Sequence, residues 1–182
     1  MFYFVRHGKT DYSEKDTKIY QGFGVHLAGL SPEGIRQIQQ SAKDERLQGT
    51  ELILSSPYTR AVQTAALLAA ELKVPVVIET ELHEWLANKA YVYEPDETAD
   101  RAYEEYRALG GRYPQGETRP WEEAAAVRAR VLRVLEKYRG YGKVAVAAHG
   151  MMMEAVTGRA HPENGDVLEV DLDQGPEEGA EK

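Results

Sequence analysis

Arg6-His7-Gly8 follows directly on the apolar run Met1–Val5, so a guanidinium, an imidazole and a glycine arrive together where a strand should end. In open α/β sheets, ligands gather beyond the carboxyl ends of the strands. An arginine there can grip an oxyanion through two parallel hydrogen bonds, and a neutral histidine is a competent nucleophile or base near neutral pH. Similar deliveries recur along the chain. Leu52–Leu54 hands over to Ser55 and Ser56, then to a helix carrying Arg60; Val74–Ile78 precedes Glu81-Leu82-His83-Glu84-Trp85; Val144–Ala148 leads into His149-Gly150. Singly, each has a scaffold role: Arg60 as an exposed residue of an alanine-rich helix, His149 as a satisfied strand-end imidazole, Glu84 as a solvated acid. Behind successive parallel strands they instead share one rim, with two arginines, two histidines and at least one carboxylate. That set suits phosphoryl transfer, where catalysis consists mainly of positioning the phosphoryl group and neutralising its charge. The amino end of the helix after Ser56-Pro57 adds N–H donors, and a carboxylate remains to protonate the leaving oxygen.

The elements that must position these groups are legible from periodicity. Phe2–Val5, Leu52–Leu54, Val74–Ile78 and Val144–Ala148 are short, mostly unalternating apolar runs separated by helical patterns, which predicts βαβ units around a largely parallel sheet buried on both faces. Val167–Leu172 alternates apolar and acidic residues, as an edge strand would. Ser31-Pro32-Glu33 predicts a helix start, with Ile35, Ile38 and Ala42 on the inner face and Gly49 closing it. A second helix is expected from Ser56-Pro57 with Ala61, Ala65, Leu68 and Leu72 inward. A third follows Pro120 with Val127, Val131, Leu135 and Tyr138 inward, and a short one starts near Gly150, with Met151-Met152-Met153 packed beneath it. Thr10–Leu30 has no sustained period and reads as a long loop beside the first strand. Leu86–Gly116 is rich in tyrosine and charge, including Tyr91, Tyr93, Tyr103, Tyr106 and Tyr113, and reads as a lid-like excursion with a helix near Asp100–Leu109. The expected organisation is one catalytic domain over residues 1–173, with a helical lid at about 86–116 and a polar, disordered tail over 174–182.

Composition removes several function classes. The chain has no cysteine, so disulfides, thiolate zinc sites and cysteinyl-phosphate intermediates are out. A net charge of −8 argues against a nucleic-acid partner, which needs a basic surface, yet leaves room for a small phosphorylated substrate drawn by a local field. No apolar stretch nears the ~20 residues that cross a bilayer. Met1 leads into the first strand without a signal-like segment, so a cytoplasmic protein without membrane association is expected.

Phe4-Val5-Arg6-His7-Gly8-Lys9-Thr10, Ser55-Ser56-Pro57-Tyr58-Thr59-Arg60-Ala61-Val62-Gln63-Thr64-Ala65, Leu82-His83-Glu84 and Ala148-His149-Gly150 resemble the histidine phosphatase superfamily, the phosphoglycerate-mutase-like group, in order and over most of the chain. The resemblance implies a three-layer α/β/α sandwich whose mostly parallel sheet has one antiparallel edge strand. It implies that His7 attacks phosphorus to form a phosphohistidine, that Arg6, Arg60 and His149 hold the phosphoryl oxygens, and that Glu84 protonates the leaving alcohol and then activates water. Leu30-Ser31 and Gly34 resemble the family's approach to its first helix, which places Gln21-Gly22 near the pocket. Ser13 stands where many members carry a phosphate-contacting Asn. The Gly and Trp that often follow the acid are replaced by Trp85-Leu86-Ala87-Asn88, so Glu84 is the first candidate and Glu81 the reserve.

The expected activity is that of a metal-independent phosphomonoesterase of the histidine acid-type class, working without cofactor on a phosphorylated small metabolite. The chain is shorter than typical cofactor-dependent mutases, and only Arg101, Arg107 and Arg112 could stand for their basic insert, which favours hydrolysis. A phosphoglycerate mutase, a phosphoprotein or phosphohistidine phosphatase, and a non-catalytic phospholigand-binding module are the alternatives. Metal binding is disfavoured because neither a His-Glu-x-x-His pair nor an acidic cluster occurs. Gly22-Phe23-Gly24 lacks the third glycine of a dinucleotide fingerprint, and no Walker loop or Gly-x-Ser-x-Gly elbow is present. His26 and His161 read as surface or capping residues. The oligomeric state is left open.

Overall fold

The computed structural model describes residues 1–17, 24–90 and 95–172. Five strands form one sheet: β1 (Phe2–Arg6), β2 (Leu52–Ser55), β3 (Val76–Ile78), β4 (Val144–Ala148) and β5 (Val167–Val170), in the order β3-β2-β4-β1-β5. All pairs are parallel except β1 with β5. The helices are α1 (Gly24–Leu27), α2 (Pro32–Ser41), α3 (Thr59–Leu72), α4 (Asp96–Ala108), α5 (Ala124–Lys137) and α6 (Gly150–Thr157). Because β1, β2 and β4 are apolar on both faces, both must be covered. Tyr3, Val5, Ile53, Ala145 and Ala147 pack against Ile38, Ala61, Ala65 and Leu68 of α2 and α3. Phe2, Phe4, Leu54, Val144 and Val146 pack against Val127, Val131 and Leu135 of α5 and Met152 and Met153 of α6. The result is the three-layer α/β/α sandwich with one antiparallel edge strand.

Several local expectations are corrected. Ser31 caps α2 through Gly34 N–H and Pro32 opens it, but Ile35 is exposed; Gly34, Ile38 and Ser41 form the buried face. Gly8 and Gly34 meet too closely for side chains, since a Cβ on Gly8 would stand 2.3 Å from the Gly34 carbonyl oxygen. The second helix begins at Thr59 behind an extended Tyr58, and the third at Ala124. The third strand is a short edge strand, so Val76 and Ile78 are exposed rather than buried on both faces. The long loop after β1 is pinched at its base by an antiparallel bridge between Thr10 and Leu30. The helix of the 86–116 excursion starts earlier than expected, at Asp96. Tyr91, Tyr93, Gln21, Gly22 and the 174–182 tail lie outside the described residues. No helix among the described residues is long and apolar enough to cross a membrane.

Candidate active site

Strand register alone brings two histidines together. Arg6 is paired with Ala148 across the parallel β1–β4 ladder, so His7 and His149, each one residue further on, leave neighbouring strands at the same level. Their rings meet edge to face with centroids 5.2 Å apart. β2 lies on the other side of β4, and its continuation carries Ser56 and Arg60 to the same rim. Ser56 Oγ is 2.7 Å from His149 Nε2, and Arg60 Nε donates to His7 Nε2 at 3.2 Å. Both residues come from the Ser55–Arg60 stretch that turns β2 into α3, whose first turn faces the strand ends.

His7 is oriented from two directions. Its Nδ1 lies 2.8 Å from the Gly8 carbonyl oxygen, which fixes Nδ1 as the protonated nitrogen and leaves the Nε2 lone pair facing Arg60. Its backbone is gripped as well: His7 N–H donates to the Ala148 carbonyl at 3.0 Å, and Asn164 Nδ2 donates to the His7 carbonyl at 2.8 Å. Burial, then the Arg60 charge and more weakly that of Arg6, lowers its pKa to about 3, against the opposing pull of the Gly8 carbonyl. The imidazole is therefore neutral across the physiological range, with its Nε2 lone pair accepting from Arg60. His149 is completely buried, and that burial, with Arg60 and His7 beside it, holds its pKa well below the ordinary value.

Arg6 lies against Gly150, where a Cβ would stand 3.2 Å from its guanidinium carbon, and it donates to the Pro162 carbonyl. Two buried polar atoms here have no hydrogen-bond partner, Arg6 Nε and His149 Nδ1. Buried polar groups are nearly always satisfied, so two unpartnered atoms, one on the residue before His7 and one on the imidazole beside it, leave hydrogen-bonding capacity for a ligand. Glu84 completes the group. Its Oε1 accepts the N–H of Trp85 at 2.8 Å and of Met152 at 2.9 Å, and its Oε2 accepts that of Met151 at 3.2 Å. Glu84 thus accepts the free N–H groups at the amino end of α6, whose N-cap position is His149.

Other expected residues fall differently. Ser13 is exposed, and its N–H is spent on Asp11 Oδ1 at 2.9 Å; the structure does not bring it to His7. Gln21 lies outside the described residues. Glu81 offers its backbone carbonyl to Arg130. His26, expected at the surface, is corrected: it is half-buried, its ring lies 4.3 Å from that of Tyr58, and its carrier α1 offers the Val25 carbonyl to Arg60 Nη1 at 2.6 Å. His161 is exposed and meets Arg107. Sequence reasoning missed Tyr58, which stacks under Arg60 at 5.0 Å and meets His149 at 5.3 Å; the signal was present, an aromatic between the strand end and the arginine. It missed Asn164 too, which no local pattern marks. Among the described residues no group of three or more His, Cys, Asp or Glu side chains is arranged to hold a metal ion.

The 86–116 excursion is fastened by aromatic rings. Trp85 meets Tyr106 at 5.2 Å, Tyr106 meets Trp121 at 5.4 Å, and Trp121 meets Tyr113 at 4.8 Å, all edge to face. Glu105 of α4 accepts the Trp121 indole N–H at 2.8 Å. Asp96 at the start of α4 pairs with Lys15 of the loop after β1, so the two long excursions touch.

Residues 2–172 match the histidine phosphatase superfamily (branch 1), and the chain belongs to that family. A segment of 73 residues is 37% identical to agropine synthesis reductase of Rhizobium rhizogenes, covering 36% of this chain and 17% of that much longer protein. The fold is similar to a structure from Thermus thermophilus, at TM-score 0.65 and 22% identity over 96% of this chain and 95% of that one. It is also similar to a mycobacterial glucosyl-3-phosphoglycerate phosphatase in complex with VO3, at TM-score 0.64 and 22% identity over 91% of this chain and 88% of that one.

Proposed function

We propose that this protein is a metal-independent phosphomonoesterase that hydrolyses a phosphorylated small metabolite through a phosphohistidine on His7. The observation that carries the reading is the neutral, buried His7 with Nδ1 tied to Gly8 and Nε2 directed at the Arg60 guanidinium. As substrate binds, Arg60 turns its donors from His7 to the phosphoryl oxygens; the freed Nε2 lone pair attacks phosphorus, and the bond from phosphorus to the ester oxygen breaks. Glu84 gives its proton to that oxygen as the alcohol leaves. Water then attacks the phosphohistidine and loses a proton to Glu84; the phosphorus–nitrogen bond breaks, returning neutral His7 and inorganic phosphate. Arg60, Arg6 and His149 stabilise the charge on the transferring oxygens. Ser13 would join them only by leaving Asp11, and Gln21 is the further phosphate ligand of this reading. The 86–116 excursion serves as lid and substrate-selecting wall. Of the three arginines that could meet a phosphoglycerate carboxylate, Arg107 is engaged by Glu154 and His161, and Arg101 by the Glu97 carbonyl and Thr98 hydroxyl; this leaves Arg112 for that role and supports hydrolysis over transfer between phosphoglycerates.

The test is turnover of an aryl phosphate with intact-protein mass spectrometry after acid-free quenching. The wild type should show a phosphoryl adduct that is stable to base and labile to acid, and His7→Ala should show neither adduct nor turnover. Normal turnover by His7→Ala refutes the nucleophile assignment. Activity should survive exhaustive treatment with chelator, and a loss that divalent metal restores would refute the metal-free reaction.

A further inference from the structure

The segment that carries Glu84 is tied, carbonyl by carbonyl, to one buried guanidinium. Arg130 sits on the same face of α5 as Val127, Val131 and Val134, all buried, and is itself only 4% exposed. Its Nε and Nη2 meet both oxygens of the buried Glu122 carboxylate, at 2.8 and 3.0 Å, fork to fork. Its Nη1 donates to the Glu81 carbonyl at 2.5 Å and the His83 carbonyl at 2.8 Å, and Nη2 reaches the Glu84 carbonyl at 3.2 Å. Glu122 holds the same segment by its backbone: its N–H donates to the Leu86 carbonyl at 2.9 Å, and its carbonyl accepts the Trp85 indole N–H at 2.6 Å.

A buried ion pair is a poor means of gaining stability, since apolar residues of similar volume often serve as well or better. What apolar residues cannot do is organise three carbonyl groups that point inward from a turn. Only a planar, multiply donating cation satisfies such a row and fixes its spacing at once. We propose that Arg130, braced by Glu122, is a positioning residue that sets the Glu84 carboxylate at the amino end of α6, beside His149 and within reach of the leaving oxygen. The inference rests on Glu84 being the proton donor and deepens that assignment. Proton transfer is sensitive to placement, because an error of about 1 Å can cost on the order of 10²-fold in rate.

The experiment compares a panel of aryl and alkyl phosphates with leaving groups from good to poor. The double variant Arg130→Met with Glu122→Leu removes both charges and leaves neither buried alone. Arg130→Lys keeps a cation against Glu122 but cannot span the carbonyl row, and it reports on the same point if the double variant does not fold. Glu84→Gln is the reference. In single-turnover formation of the phosphohistidine, which isolates the protonation step from the later attack of water, folded Arg130 variants should react with good leaving groups within about 3-fold of the wild-type rate yet lose on the order of 10²-fold on alkyl phosphates, where protonation is required. Uniform slowing across the panel, or none, in a variant with an unaltered circular dichroism spectrum overturns the positioning role. A flat Glu84→Gln profile overturns the acid assignment and this inference with it. A steep Glu84→Gln profile beside flat Arg130 profiles overturns the Arg130 role alone.

Discussion

Acid sensitivity of folding should carry a signature of His7. In the unfolded chain the imidazole titrates near 6.5, and in the folded protein burial and Arg60 push it to about 3. The folded value lies below the unfolded one, so between them the unfolded state binds the extra proton. Stability from this residue is complete well above pH 6.5 and drains away as pH falls toward 3. At about pH 4.5, two units below the unfolded value, the loss amounts to about 2.7 kcal/mol at roughly 1.36 kcal/mol per unit. That is a large part of the ~5–15 kcal/mol that holds a domain together. His149, His26 and His83 are lowered in the same direction, so the wild type sums several such terms, and substitution isolates one. Urea unfolding of wild type and His7→Gln between about pH 4.5 and about pH 6 gives the slope of stability against pH. The variant slope should be shallower by nearly one proton, about 1.3 kcal/mol per pH unit, whatever the substitution does to stability at neutral pH. Parallel slopes would mean that His7 takes up its proton in the folded state, and the case for a permanently neutral nucleophile would fall.

Three further outcomes are expected. Arg60→Met should lower kcat/KM for an aryl phosphate on the order of 10²- to 10³-fold by removing a donor to the developing charge, and unchanged steady-state kinetics would take Arg60 out of the clamp. Gly150→Ala puts a methyl group 3.2 Å from the Arg6 guanidinium carbon and should weaken inhibition by inorganic phosphate several-fold; an unaltered inhibition constant would show that Arg6 does not touch phosphate. Leu54→Ala, in a completely buried strand position, should cost about 2–5 kcal/mol in urea unfolding, and a cost under about 1 kcal/mol would contradict the packing between β2 and α5.

The parts of this architecture that depend on short-range pattern were legible, and those that depend on where a loop lands were not. Apolar runs without alternation marked β1, β2 and β4 because both faces of a central strand are covered. The same logic misjudged Val74–Ile78, since an edge strand can be apolar without being buried. Ile35 followed helical spacing yet faces solvent, because Gly8 and Gly34 bring β1 and α2 so close that a glycine face, not an isoleucine face, meets the sheet. Arg130 was invisible for a related reason. In Val127-Arg128-Ala129-Arg130-Val131-Leu132-Arg133 its charge looks like that of the half-buried Arg128 and the exposed Arg133, and the carbonyls that draw it inward belong to a turn some 50 residues away in sequence.

His7 and His149 meet because a parallel register places residues one step beyond Arg6 and Ala148 side by side, and register is strongly specified where both strand faces are buried. The Ser56–Arg60 stretch joins them because β2 is the other neighbour of β4. Core packing therefore brings the two histidines and the Ser56–Arg60 stretch together directly. Glu84 has no such guarantee: it follows the edge strand β3, which buries little, and a 3₁₀ turn at Thr80–Leu82. Carried on the least constrained strand end, Glu84 needs a separate device to hold it, and the structure supplies two, the amino end of α6 at its carboxylate and Arg130 at its backbone.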